Sequence, residues 1–132
     1  MAQGTPLNVG VIGTGHLGSL HARLWREVET ARLVGLVDYD QARAEAVARE
    51  TKCRAFPAVV ALLAEVDAVS IVTPTSSHAA VAAEAIAARK HVFIEKPITR
   101  TEEEAASLIR AAKRSRYFEV ASSGMCTALN AR

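Results

Sequence analysis

Along the chain, short continuous apolar blocks alternate with longer stretches whose apolar positions recur every three or four residues. The first kind fits strands buried on both faces, the second helices with one inner stripe. Leu7 to Gly13 (LNVGVIG) predicts a strand, and His16 to Glu29 a helix whose inner face is Leu17, Leu20, Leu24 and Val28. Ala31 to Val37 predicts a second strand ending at Asp38, and Asp40 is placed to cap a helix over Gln41 to Glu50. Cys53 to Phe56 predicts a short strand, and Pro57 opens a helical stretch through Glu65.

The alternation continues to the end. Asp67 to Thr73 (DAVSIVT) predicts a strand stopped by Pro74, and Ser76 or Ser77 is expected to cap an alanine-rich helix to Arg89. His91 to Glu95 (HVFIE) predicts the next strand. Thr101 with Glu104 forms a T-x-x-E capping signal. The helix behind it carries Glu102, Glu103 and Glu104 first and Arg110, Lys113, Arg114 and Arg116 last, an order that suits its dipole. That basic cluster therefore reads as a solvated helix end. Tyr117 to Ala121 predicts a sixth strand. Strands alternating with helices imply an α/β fold, a doubly wound parallel sheet with right-handed crossovers and helices on both faces.

Composition narrows the class. A chain of 132 residues, half of them apolar, suits one globular domain with a core of its own. A net charge of +2 gives no ground for a nucleic-acid or membrane partner. No apolar run reaches the roughly 18 residues of a membrane span, and MAQGTPLN lacks the pattern of a secretion signal. Cys53 and Cys126 form no metal-binding or redox spacing and read as two packed thiols. The expected location is cytoplasmic, with no metal site.

The candidate chemistry begins at VGVIGTGHLGSLH, residues 9 to 21. Its glycines leave a predicted strand and open a predicted helix, the context that gives a GxGxxG pattern meaning. Gly13 permits the tight turn, Gly15 presents no side chain to a pyrophosphate, and Gly18 lets the helix sit close to the strand. N–H groups at the helix start attract phosphate. Asp38 follows Gly18 by 20 residues, at the end of the second strand, where a carboxylate accepts from ribose hydroxyls and repels a 2′-phosphate. NAD is therefore expected over NADP, a preference that Arg43 could soften. A methyltransferase also carries a glycine loop and an acid after its second strand, but the glycine spacing and the later strand ends disfavour it. Those ends, Thr73-Pro74-Thr75 and Glu95-Lys96-Pro97, belong on the edge where open α/β sheets bind ligands. A lysine there can hold or move a proton.

Taken in order, GTGHLGSLH, the acid of LVDYD, TPTSSH and EKP resemble the Gfo/Idh/MocA oxidoreductases, the glucose–fructose oxidoreductase and inositol dehydrogenase family. The resemblance covers residues 7 to 121 and matches that family's N-terminal Rossmann domain, which implies a dinucleotide-binding domain over residues 1–121. By resemblance, Gly13, Thr14, Gly15, His16, Leu17 and Gly18 would form the pyrophosphate loop, with Asp38 and Tyr39 at the adenosine ribose. Thr73, Pro74 and Thr75 would line the path to the nicotinamide, His78 would support that loop, and Glu95 would approach the nicotinamide ribose. Lys96 would be the catalytic lysine and also touch the cofactor. His21 matches a recurrent helix histidine and reads as a packed side chain. The substrate implied is a small polyol, a sugar or cyclitol.

The resemblance weakens at the end. Where the family reads close to G-H-x-x-R-F-N-P, this chain has Gly124-Met125-Cys126-Thr127-Ala128-Leu129-Asn130-Ala131. Residues 122–132 are expected to be a tail, the truncated start of a second, substrate-holding domain that is missing. Binding without meaningful turnover is the expectation for this length. A stand-alone dinucleotide-binding module served by a partner chain, a homo-oligomer built on the last strand, and a decayed enzyme remain open alternatives.

Overall fold

The computed structural model of the chain describes residues 4–115, 119–122 and 129–130. In chain order it runs β1 (Leu7–Ile12), α1 (His16–Glu27), β2 (Ala31–Val37), α2 (Gln41–Thr51), β3 (Arg54–Ala55) and α3 (Val59–Leu63). Then come β4 (Ala68–Ile71), α4 (Thr75–Ala87), β5 (His91–Ile94), α5 (Glu102–Ser115), β6 (Glu119–Ser122) and β7 (Leu129–Asn130). The strands lie side by side as β3-β2-β1-β4-β5-β6-β7. Neighbours from β3 through to β6 pair in parallel. This is the expected doubly wound sheet. The chain moves outward from β1 to β3, then returns to lay β4 on the other side of β1. The crevice between β1 and β4 is thus the topological switch point.

The sheet separates two cores. Ile12, Val37, Leu62, Val69, Ile71, Ile86, Ile94 and Leu108 pack together with the residues of α3, α4 and α5. Val11, Leu36, Ala22, Val47 and Ala48 form the other core, with α1 and α2. β1 contributes to both, which is why it reads as a continuous apolar run rather than an alternating one.

Four expectations are corrected. Leu17, Leu20, Leu24 and Val28 were expected to face inward, but they stand 39–52 % exposed. The buried residues of α1 are Gly18 and Ala22. Gly18 rests on the Gly13 backbone, and this close approach turns the small-residue face inward and the leucine stripe outward. At α4, neither Ser76 nor Ser77 caps the helix; it starts at Thr75 behind Pro74, with no side-chain cap. The TPT turn reaches helical geometry one step earlier, and Ser77 N–H already donates to the Pro74 carbonyl at 2.9 Å. In the third case the sixth strand is not the last of the sheet: Leu129 and Asn130 pair antiparallel with Val120 and Glu119. The fourth is α3, which shrinks to Val59–Leu63 instead of running from Pro57 to Glu65. Two caps stand as expected, Asp40 accepting from Arg43 N–H at 3.1 Å and Thr101 Oγ1 from Glu104 N–H at 3.1 Å. Arg116, Tyr117, Phe118 and Gly124 to Ala128 lie outside the described residues.

Candidate functional site

The three loop glycines have different physical reasons. Gly13 has φ +98°, and a Cβ on it would stand 2.6 Å from the Val72 carbonyl oxygen, so turn and packing both demand glycine. At Gly18 a Cβ would collide with the Gly13 carbonyl. Gly15 is unlike both. Its φ of −68° and ψ of −162° suit any residue, and a Cβ there would meet nothing within 4 Å. The fold has no use for glycine at this position; a ligand approaching the backbone would have one. Gly15 is also the N-cap of α1 and offers no side chain to its first-turn N–H groups.

Asp38 ties this loop to the end of β2. Its Oδ2 accepts from Thr14 N–H at 2.7 Å and from the Thr14 hydroxyl at 2.8 Å. Its Oδ1 accepts from Asp40 N–H at 2.9 Å. Arg43 completes the set, with Nη2 at 3.1 Å from Oδ1 and 3.0 Å from Oδ2, and Nε at 3.3 Å from Oδ2. Burial pushes the Asp38 carboxyl up, but the bonds from Asp40, Thr14 and Arg43 outweigh it and hold the carboxyl below its ordinary 3.8. The residue is an anion at neutral pH despite being buried.

Between these groups and β4 lies a cleft of about 520 Å³. Gly13, Thr14, Gly15, Asp38, Tyr39, Thr73 and Pro74 line it, all of them expected site residues. Ile12, Val37, Val59, Val72 and Val81 add apolar walls, and Arg43 and Ser77 complete the lining. Among the described residues, the Thr73 hydroxyl is a buried side-chain group without a hydrogen-bond partner. A buried unpaired hydroxyl costs about 1–3 kcal/mol, and a ligand in this cleft would relieve it. The open space at Gly15, the anion at Asp38 and the orphaned Thr73 hydroxyl fit a dinucleotide: phosphate on the loop, ribose on the acid, and a polar contact at the strand end.

The remaining expected residues stand around this cleft rather than lining it. His16 and Leu17 are exposed in the first turn of α1, and Gly18 is buried beneath them. Thr75 opens α4. His78, expected to support the TPT turn, is 1 % exposed and does not line the cleft. Its Nε2 lies 2.8 Å from the Thr73 carbonyl, and its Nδ1 2.9 Å from that of Pro97. The ring thus stands between the end of β4 and the loop after β5, with one N–H in its neutral form to donate to either carbonyl. Glu95 is turned toward α1, where its Oε1 lies 3.3 Å from His21 Nε2, and its Oε2 accepts from Lys96 N–H at 3.0 Å. His21, expected as a packed side chain, packs its ring 5.8 Å from that of Phe93. Lys96 is exposed at the mouth of the β5 loop. Burial pushes the thiol of Cys53 up, away from the reactive thiolate.

Sequence reasoning missed the apolar walls and, beyond a softening of the cofactor preference, the clamp of Arg43 on Asp38. The walls were signalled by Ile12, Val37 and Val72, each at the carboxyl end of a strand. Arg43 was signalled by its place in the first turn of α2, the helix that follows the acid. Among the described residues no group of three His, Cys, Asp or Glu could hold a metal ion, and no helix is long and apolar enough to cross a membrane.

Comparison with known proteins agrees with this geometry. Residues 7–120 match the model of an oxidoreductase family with an NAD-binding Rossmann fold, Gfo/Idh/MocA. The chain is 55 % identical over 103 residues to UDP-N-acetylglucosamine 3-dehydrogenase of Acidithiobacillus ferrooxidans, covering 78 % of this chain and 32 % of that protein. It is 41 % identical over 91 residues to inositol 2-dehydrogenase of Rhizobium meliloti, covering 67 % of this chain and 27 % of that one. The crystal structure of GenD2 from gentamicin A biosynthesis, in complex with NAD, superposes with a TM-score of 0.88 at 28 % identity over 94 % of this chain and 36 % of its own. The chain thus spans about a third of the length of these relatives. With the family model matched from β1 into β6, the chain belongs to the Gfo/Idh/MocA oxidoreductases and carries their NAD-binding Rossmann fold.

Proposed function

We propose that this chain is the dinucleotide-binding part of an NAD-dependent dehydrogenase acting on a hydroxyl-bearing carbon of a sugar or cyclitol. The observation that carries the reading is Gly15, a glycine that neither backbone conformation nor packing requires, set at a helix N-terminus beside a buried anion. Thr14, Gly15 and the first turn of α1 would hold the pyrophosphate. Asp38 would take the adenosine ribose, and Thr73, Pro74 and Thr75 would border the nicotinamide half. When bound, NAD supplies the hydride acceptor. Lys96, exposed and next to Glu95, would take or return the proton of the substrate hydroxyl. The sugar or cyclitol class is supported by the names of the relatives, which act on a UDP-sugar and on inositol.

Calorimetric titration with NADH, NADPH and S-adenosylmethionine tests the cofactor. NADH binding tightest supports the reading, and S-adenosylmethionine binding tightest overturns it. Gly15→Ala should weaken NADH more than about tenfold, since a methyl group then stands where phosphate must approach the backbone. We further propose that these residues bind without turnover, because a substrate wall would come from the two thirds of the relatives' length that this stretch does not span. Steady-state oxidation of polyols by the purified 132-residue protein would contradict that.

A further inference from the structure

The ribose acceptor of the proposed site is already occupied by the chain itself. A carboxylate offers about four acceptor positions. Those of Asp38 receive the Thr14 N–H, the Thr14 hydroxyl, the Asp40 N–H and the forked guanidinium of Arg43. A ribose hydroxyl can donate to Asp38 only if one of these donors leaves. Two are main-chain groups, and the Thr14 hydroxyl belongs to a residue 1 % exposed. Arg43 differs: its side chain is 43 % exposed, against 2 % for that of Asp38. It reaches in from the solvent side of α2, and its guanidinium carbon already lies 5.7 Å from the centre of the Tyr39 ring. A guanidinium released from Asp38 therefore has an aromatic ring within reach at the edge of the cleft it lines.

We infer that Arg43 is an intramolecular occupant of the adenosine-ribose seat, which NAD must displace and which NADP would re-employ as the partner of its 2′-phosphate. The inference rests on the dinucleotide reading above and goes beyond it. Arg43 sets the preference between the two cofactors by opposing one and pairing with the other. Occupancy of a site by its own side chain multiplies the apparent affinity by the fraction of molecules in which the site is free. With NADP the displaced guanidinium regains a bidentate anionic partner.

Equilibrium binding of NADH and NADPH to the wild-type chain, Arg43→Ala and Arg43→Lys at one low ionic strength tests this. Arg43→Ala should bind NADH about fivefold tighter than wild type, the competitor being gone, and NADPH about tenfold weaker. Arg43→Lys keeps a cation for a 2′-phosphate but loses the fork, so it should tighten NADH while retaining most of the NADPH affinity. Weaker or unchanged NADH binding in Arg43→Ala, with wild type binding NADH normally, overturns the inference and leaves the dinucleotide reading standing. Wild type binding neither dinucleotide removes both. Far-ultraviolet circular dichroism confirms that each variant is folded, as expected for changes at a solvent-facing side chain.

Discussion

Thr14 and Asp38, 24 residues apart, share one carboxylate oxygen, which takes both the N–H and the hydroxyl of the threonine. This joins the glycine loop to the end of β2 before any ligand arrives. Asp38→Asn replaces an acceptor-only group with one that turns an NH2 toward two of its donors. A loss of about 1–3 kcal/mol in stability is expected. NADH affinity should fall at least about tenfold, because an amide gives a ribose diol a weaker acceptor than an anion does. Thermal melts and calorimetry on the same variant separate the two effects.

The depressed Asp38 carboxyl also sets a pH dependence. Its pKa is lower folded than the ordinary 3.8 expected unfolded. Its stabilising contribution is therefore complete above that value and is lost as pH falls through the folded pKa. Urea midpoints should decline from pH 5 toward pH 2, and in Asp38→Asn that part of the decline should be absent. An identical acid profile for both proteins would count against the linkage.

Gly18→Ala should act on the fold and not directly on the ligand. A methyl group there meets the Gly13 carbonyl, and relief requires the helix to move off the strand. A cost of about 1–3 kcal/mol is expected, read as a lower melting temperature. Gly15→Ala should stay within about 1 kcal/mol of wild type. Equal destabilisation by the two substitutions would refute the separation of their roles.

His78→Phe keeps a ring of similar size but leaves the Thr73 and Pro97 carbonyls without their shared partner. A neutral ring has one N–H to give, so one carbonyl loses its donor, at a cost of about 1–3 kcal/mol. The variant should unfold at lower urea, and its β5 loop should show faster amide exchange, because the strand ends no longer move together.

The outward leucine stripe is checked by contrast. Leu24→Ser on α1 should change stability by no more than about 0.5 kcal/mol, whereas Leu62→Ala in α3, fully buried, should cost about 2–5 kcal/mol. A large loss at Leu24 would restore the inward orientation that its spacing suggests.

Much of this was legible in the residues. Strand and helix order followed from apolar blocks and caps, because a parallel sheet covered on both faces leaves little latitude in pattern. The loop glycines and Asp38 were legible because backbone geometry restricts those positions to few residue types. The face of α1 was not. Gly18, Ala22 and Trp25 recur at helical spacing as well as Leu17, Leu20, Leu24 and Val28 do, and hydrophobicity alone ranks the wrong set first. What decided the matter was the distance of helix from strand, a tertiary quantity. The Arg43 clamp was hidden for a related reason: spacing places the arginine near the acid but does not say that the acid's other acceptor positions are filled.

Trp25 is the chain's only tryptophan. Its indole N–H donates to the Ser70 hydroxyl at 2.8 Å, across from α1 to the buried middle of β4. The protein therefore carries an unlabelled fluorophore at the seam where its first helix docks on the central strands. A red shift of its emission reports the parting of that seam, free of overlapping signal from any second indole.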